Sequence, residues 1–306
     1  MESSERNRAE AGISGISMVS GRPEASTSAR TSPGAGVTPE IPSIEFLQHA
    51  MLGSDAPSTK RHVAVIVCNW SLPSITRELL MHASYVIAAD GGANRLYDEL
   101  PTLFPDEAPD DARKGHLPHC VAGDLDSIRD DVRAFYEGLG VRIHDLSHDQ
   151  DSTDLMKCLD LTVAFQREQG FFFSHIFAVG TQGGRLDHIL GNLSILHMYR
   201  DLPLLLLGDG NLTRLVPRGA SNVCTSGFEG PKCGLIPVCG TAVASTRGLR
   251  WNLDKTTMAM GGLVSSCNEV VTTDVYIETD VDLVWTTELH DHQQQQHEQH
   301  HEHCES

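Results

Sequence analysis

A series of short apolar runs, four of which lead straight into polar or glycine-bearing motifs, constrains this chain more than any other feature. The runs are His62–Cys68, Tyr85–Ala89, His119–Ala122, Val141–Leu146, His175–Val179 and Leu204–Leu207. Apolar runs of this length suit strands of a parallel sheet covered on both faces. Helical spacing falls between them. Leu155, Cys158, Leu159 and Val163 share one helix face, as do Leu186, Ile189, Leu190, Leu193 and Leu196, of which Leu186, Ile189 and Leu190 read as core. Strands alternating with helices predict an α/β doubly wound parallel-sheet domain over 60–208. After Gly208 the runs become short, rich in Thr and Val and broken by Gly, Pro and Asn. Gly234–Val238, Met258–Ala259 and Val275–Glu278 are examples, and they predict a small all-β domain over 209–289.

Outside these two domains the composition cannot build a core. Residues 1–59 are rich in Ser, Gly, Pro, Thr and Ala and read as a disordered tail, with room for one helical turn around Ile44–Met51. Residues 290–306 form a His/Gln-rich solvated tail. No apolar run approaches the roughly 18 residues of a membrane span. A formal charge of −18 argues against a nucleic-acid partner. It still allows an anionic substrate, because a metal ion can neutralise both a phosphate and an acidic cleft. The 8 cysteines show no C-x-x-C pair and read as reduced thiols. With no apolar leader at the N-terminus, the expected location is cytoplasmic.

The chemistry-bearing motifs lie where the predicted strands end, the place where open α/β sheets bind ligands. Tyr85–Ala89 runs into Asp90-Gly91-Gly92-Ala93-Asn94-Arg95, where glycines would admit a close ligand and a helix N-terminus would face an anion. An ordinary tight turn explains the same residues. Gly123-Asp124-Leu125-Asp126-Ser127 offers carboxylates at i and i+2 to one hard cation, with helix capping by Ser127 as the alternative. Asp149-Gln150-Asp151-Ser152-Thr153-Asp154, with Lys157 one turn on, gathers carboxylates that repel unless a cation offsets them. Capping by Ser152 or Thr153 would use only one of these residues. Gly180 to His188 is a glycine-rich loop in which Arg185 can pair with phosphate and Asp187 and Asn192 can face a cleft. It lacks the G-K-[ST] ending of a P-loop. Taken together, the carboxylates and glycine loops predict Mg²⁺-assisted phosphoryl-type transfer, with the acceptor left open.

The stretches Ala89–Asp98 (ADGGANRLYD), Gly123–Arg133 (GDLDSIRDDVR), Asp149–Leu159 (DQDSTDLMKCL) and Gly183–His188 (GGRLDH) resemble the thiamine pyrophosphokinase family. So do Cys233–Val238 (CGLIPV), Thr246–Leu253 (TRGLRWNL) and Gly261–Asn268 (GGLVSSCN), in the family's order across about 60–289. The resemblance implies an α/β domain carrying ATP and a β-sandwich domain, assembled as a homodimer with thiamine between subunits. It implies that Asp124, Asp126 and Asp154 form the catalytic Mg²⁺–phosphate site, with Asp90, Gly91, Gly92, Asn94, Arg95, Asp151, Thr153 and Lys157 around the bound substrates. Gln150 would lie close to thiamine, Arg185 and Asp187 would line the nucleotide side, and Trp251 would stack on the aminopyrimidine beside Ser265 and Asn268. An indole suits a cationic heteroaromatic ring, although a core aromatic of a small β domain is the plainer reading of Trp251 taken alone. The Gly180–Gly184 loop is shorter than in animal members, Ser266-Cys267 departs from the family's Thr-Ser, and Thr102–His116 falls outside the resemblance. A phosphatase using Asp124 as nucleophile, a nucleotide-sugar transferase using D-x-D, and an inactive thiamine-binding protein are the rival readings.

Overall fold

A computed structural model of the chain describes residues 38–44, 47 and 61–290. The tails predicted at 1–59 and 290–306 lie outside the described residues, apart from 38–44, Leu47 and His290. In chain order the elements are β1 (Glu40–Ile41), β2 (Val63–Val67), α1 (Thr76–His82), β3 (Tyr85–Ala89), α2 (Gly92–Leu103), α3 (Pro109–Gly115), β4 (Cys120–Gly123), α4 (Asp130–Gly138) and β5 (Arg142–Asp145). They continue with α5 (Asp154–Gln169), β6 (His175–Val179), α6 (Leu186–Met198), β7 (Leu204–Gly208), β8 (Asn211–Val216), β9 (Gly219–Cys224) and β10 (Glu229–Ile236). The last are β11 (Ala242–Arg247), β12 (Thr256–Met258), β13 (Ser265–Glu269), β14 (Asp274–Thr279) and β15 (Leu283–Leu289).

Each apolar run predicted in the first half is a strand, within a residue or so of its expected ends. Their side chains alternate between two cores, as a pleated strand requires. Val63, Val65, Val67, Val86 and Ala88 pack with residues of α1 to α4, whereas Ala64, Ile66, Ile87 and Ala89 pack with residues of α5 and α6. Strands β7-β6-β2-β3-β4-β5 run parallel in that order. The direction of winding therefore reverses between β2 and β6, and a crevice is expected outside the carboxyl ends of those two strands.

The halves share a sheet. β8 returns antiparallel against β7, and β15, β10 and β13 follow, so one sheet of 10 strands runs through both. A second sheet of 5 strands, in the order β1-β9-β14-β11-β12, closes the sandwich over Val216, Leu235, Ile277 and Trp285.

Two expectations are corrected here. In α6 Ile195 and Leu196 are buried and Ile189 is half-buried, while Leu186 and Leu190, expected to be core, are 67% and 53% exposed, so the start of the apolar stripe lies on the surface. Helical spacing shows that a face is apolar but not what covers it. The second correction concerns residues 38–44 and Leu47, placed above within the disordered tail. Here β1 adds parallel to β9, and Ile44 and Leu47 are fully buried beside Phe177, Leu205 and Leu207. Pro42 O also accepts from the buried Arg214 Nη1 at 2.9 Å. The Ser/Pro-rich flanks masked a short apolar anchor. Starting the chain at residue 38 is expected to keep activity within about twofold. Starting it at residue 48 strips Ile41, Ile44 and Leu47 from the core, for a net loss of about 3 kcal/mol or more after the freed chain entropy is deducted. Differential scanning calorimetry of the two truncations would read that loss as about 6–12 °C.

Candidate active site

Three motifs meet at the carboxyl edge of the parallel strands. Asp90 follows β3 with a left-handed φ of 43°, and the residue is 2% exposed. It accepts from the backbone N–H groups of Ser127 at 3.0 Å and Ile128 at 3.1 Å, pinning the Asp124–Ser127 loop. Asp154 opens α5. Its Oδ1 accepts from the Asp124 N–H at 3.4 Å and from Lys157 Nζ at 3.4 Å. Carboxylate oxygens of Asp90, Asp124 and Asp154 lie within 4.8 Å of one another.

The triad of Asp124, Asp126 and Asp154 expected from the sequence thus differs from the group the fold brings together. Asp126 is exposed and accepts from Ser127 Oγ at 2.8 Å, while its N–H donates to Asp124 Oδ1. Gly123, the last residue of β4, has no room for a side chain, since a Cβ would fall 2.7 Å from Asp90 Cβ.

The cluster carries more negative charge than Lys157 alone offsets. Burial, and after it the Asp154 charge, pushes the Asp90 carboxyl up, and burial followed by Asp124 pushes Asp154 up. Hard oxygen donors and surplus charge in a half-buried pocket fit Mg²⁺. The pH dependence follows from the sign of these shifts. Folded-state values above the ordinary carboxylate value, about 3.9, mean that Asp90 and Asp154 favour the native state at low pH and lose that contribution as pH rises through the raised values. Near neutral pH, Mg²⁺ at about 100 times its Kd is expected to add about 2.7 kcal/mol. The resulting rise in Tm should shrink as pH falls into the carboxylate range. Thermal melts with and without Mg²⁺ across pH test this, and a shift that grows on acidification would contradict it.

The neighbouring residues divide between ligand-facing and architectural roles. Gly91 and Gly92 let α2 pack onto the end of β2, because Cβ atoms there would overlap the Asn69 side chain and Val67 O. Asn94 ties the first turn of α2 to the segment after β4, donating to Ser127 O at 2.8 Å and accepting from the Arg129 N–H at 3.0 Å. Arg95 Nε donates to Asn69 Oδ1 at 3.3 Å. Thr153 caps α5 by accepting from the Met156 N–H at 3.3 Å, so the capping alternative holds for this residue while Asp154 joins the carboxylates. Gln150 and Asp151 are exposed, with Gln150 Nε2 donating to Ser147 O at 2.6 Å.

After β6, Arg185 Nε pairs with Asp187 Oδ1 at 3.1 Å, both side chains being well exposed. Asn192, expected to face a cleft, instead donates to Thr181 O at 2.7 Å and braces the loop. Sequence reasoning missed Trp70, which lies against Gly183 and Gly184. Its signal was an aromatic residue just past the end of an apolar strand.

In the β half, Trp251 is 55% exposed beside a pocket of about 330 Å³ lined also by Leu263, Ser265, Cys267 and Asn268. The amide of Asn268 fixes the segment, accepting from the Trp251 N–H at 3.2 Å and donating to Trp251 O at 2.8 Å and to Ser265 Oγ at 3.2 Å. The Arg250 guanidinium lies 5.2 Å from the Trp251 ring centroid, so one indole face already holds a cation.

The family described as thiamin pyrophosphokinase, catalytic domain, matches residues 76–206, and the thiamin pyrophosphokinase, vitamin B1 binding domain, matches 217–284. Thiamine pyrophosphokinase 1 of Arabidopsis thaliana is 44% identical over 243 residues, covering 78% of this chain and 91% of its own. Thiamine pyrophosphokinase 3 of Oryza sativa subsp. japonica is 43% identical over 238 residues, covering 75% and 88%. Among solved structures, yeast thiamin pyrophosphokinase superposes with a TM-score of 0.69 at 21% identity, covering 83% of this chain and 92% of that one, which shows a shared fold.

Proposed function

This chain belongs to the thiamin pyrophosphokinase family and has that activity, and from that premise we propose that it moves the pyrophosphoryl group of ATP, with Mg²⁺, onto the hydroxyl of thiamine. The observation that carries the chemistry is the convergence of Asp90, Asp124 and Asp154 at one sheet edge. Asp124 and Asp154, joined by Asp126 from the solvent side, would hold Mg²⁺, which when bound neutralises charge on the polyphosphate.

Asp90 keeps the Asp124–Ser127 loop in place from beneath. The exposed Arg185 exchanges Asp187 for phosphate oxygens. Trp251 offers its indole to the cationic rings of thiamine, and Ser265 and Asn268 fix that segment. Gln150 stands at the exposed mouth. The thiamine hydroxyl oxygen forms a bond to the β-phosphorus, the bond from that phosphorus to the α-phosphate oxygen breaks, and AMP leaves. The hydroxyl proton passes to the carboxylate cluster. Positioning and electrostatics supply most of the rate.

The same reading includes a homodimer, supported by the uncovered Leu186 and Leu190 of α6 and by exposed Trp251, Met260 and Leu263. It also includes a cytoplasmic location, which suits the unpaired, exposed thiols of Cys239 and Cys267. No described helix is long and apolar enough to cross a membrane. The deciding experiment incubates purified protein with ATP, Mg²⁺ and thiamine and measures thiamine diphosphate and AMP in equal amounts. Inorganic phosphate without thiamine diphosphate would favour the phosphatase reading instead.

A further inference from the structure

Trp70 stands just past the carboxyl end of β2, in the crevice where the winding of the sheet reverses. One side of its indole lies directly against two consecutive glycines. A Cβ on Gly183 would sit 2.7 Å from Trp70 Cδ1 and Cε2, and one on Gly184 would sit 2.6 Å from Cζ3 and 2.8 Å from Cη2. Both glycines have left-handed φ values, 109° and 68°, so backbone conformation and space together exclude a side chain there. Trp70 as a residue nevertheless remains 37% exposed. A tryptophan that served only to fill a core would be covered, as Trp285 is at 0%.

The surroundings give the exposed ring a use. The loop it rests on continues into Arg185, and Asn69, next to it in sequence, holds Arg95. The carboxylate cluster lies at the ends of β3 and β4, one and two strands away, a span of about 10 Å at the usual strand spacing. We infer that Trp70 is the platform on which the base of the donor nucleotide stacks, with the polyphosphate running from it towards Asp124 and Asp154. This rests on the proposed ATP-dependent reaction and adds a specificity-determining residue to it. Stacking reads a π-face rather than a hydrogen-bond pattern, so the platform favours purines over pyrimidines and separates ATP from GTP only weakly.

The test compares Trp70→Leu, Trp70→Phe and Trp70→Ala. Leucine still covers the glycine loop but has no π-face, whereas phenylalanine keeps one. KM for ATP is expected to rise about tenfold in the Leu and Ala variants and by less than about threefold in the Phe variant, with KM for thiamine unchanged. The preference for ATP over CTP should fall with it. Calorimetric titration with ADP, which needs no turnover, should give the same order of affinities. A Leu variant that matches wild type, or a Phe variant as weak as the Ala variant, would overturn the inference and leave Trp70 as a prop for the loop. Failure of the wild-type protein to make thiamine diphosphate would instead defeat the proposed reaction, and ADP affinities would still report on Trp70.

Discussion

Asp124→Asn is expected to lower thiamine diphosphate formation by about two to three orders of magnitude while leaving the fold intact. Asp124 is the cluster member whose substitution reads most cleanly. Asp90 accepts backbone N–H groups on both oxygens, so an amide nitrogen at that position would face a donor. Asp154 is the partner of Lys157, whose side chain is only 4% exposed, and neutralising it would strand a buried cation. At Asp124, an asparagine oxygen can keep the bond from the Asp126 N–H. The substitution also removes a charge that, after burial, raises the Asp154 carboxyl, so the metal-free protein should be at least as stable near neutral pH. The stabilising shift with Mg²⁺ should disappear. Initial rates and thermal melts on one preparation check all three expectations. Near-normal turnover at saturating Mg²⁺ would remove Asp124 from the reaction. The same change at Asp126 reports whether that carboxylate leaves Ser127 for the ion. An equal loss places it there, and a loss under about tenfold leaves it outside.

Mixing Asp124→Asn with Trp251→Ala protein is expected to restore activity to roughly a quarter of wild type. The Trp251 change should chiefly weaken thiamine binding, by about 1–3 kcal/mol, through loss of a stacking face. If each site takes its carboxylates from one subunit and its indole from the other, a mixed dimer holds one site with both lesions and one with neither. Random pairing makes about half the dimers mixed, each with one working site. The measurement is activity after dissociation and reassociation, with subunit exchange followed by native mass spectrometry. Exchange without recovery would mean that one chain builds the whole site.

How legible these features were depended on the kind of force behind them. Strands β2, β3, β6 and β7 could be read directly, because a strand buried on both faces must be apolar throughout. The carboxylate motifs were legible because each follows such a strand, but the position of each oxygen was not. The turn Asp124–Ser127, with Leu125 at a φ of 63°, directs Asp124 to the cluster and leaves Asp126 in solvent. D-x-D spacing alone does not encode that turn. Thr153 and Asn94 read as ligand-side residues because polar side chains that cap a helix or tie a helix to a loop look the same in sequence as those that wait for a substrate. Ile41, Ile44 and Leu47 were obscured by their neighbours, since a short apolar anchor within a polar stretch has no periodicity to register.

The turn at Asp209 and Gly210 joins β7 to β8, and there the last parallel strand becomes the first antiparallel one within a single sheet. Many two-lobed enzymes close by bending at the linker between their lobes. Here such a hinge would have to break the ladder in which Leu205, Leu206 and Leu207 pair with Arg214, Thr213 and Leu212, leaving backbone groups of a buried strand unpaired. The shared ladder therefore resists such a hinge, and the two halves form one continuous plank. Substrates must be enclosed by the loops at its edge, or by a second plank laid alongside.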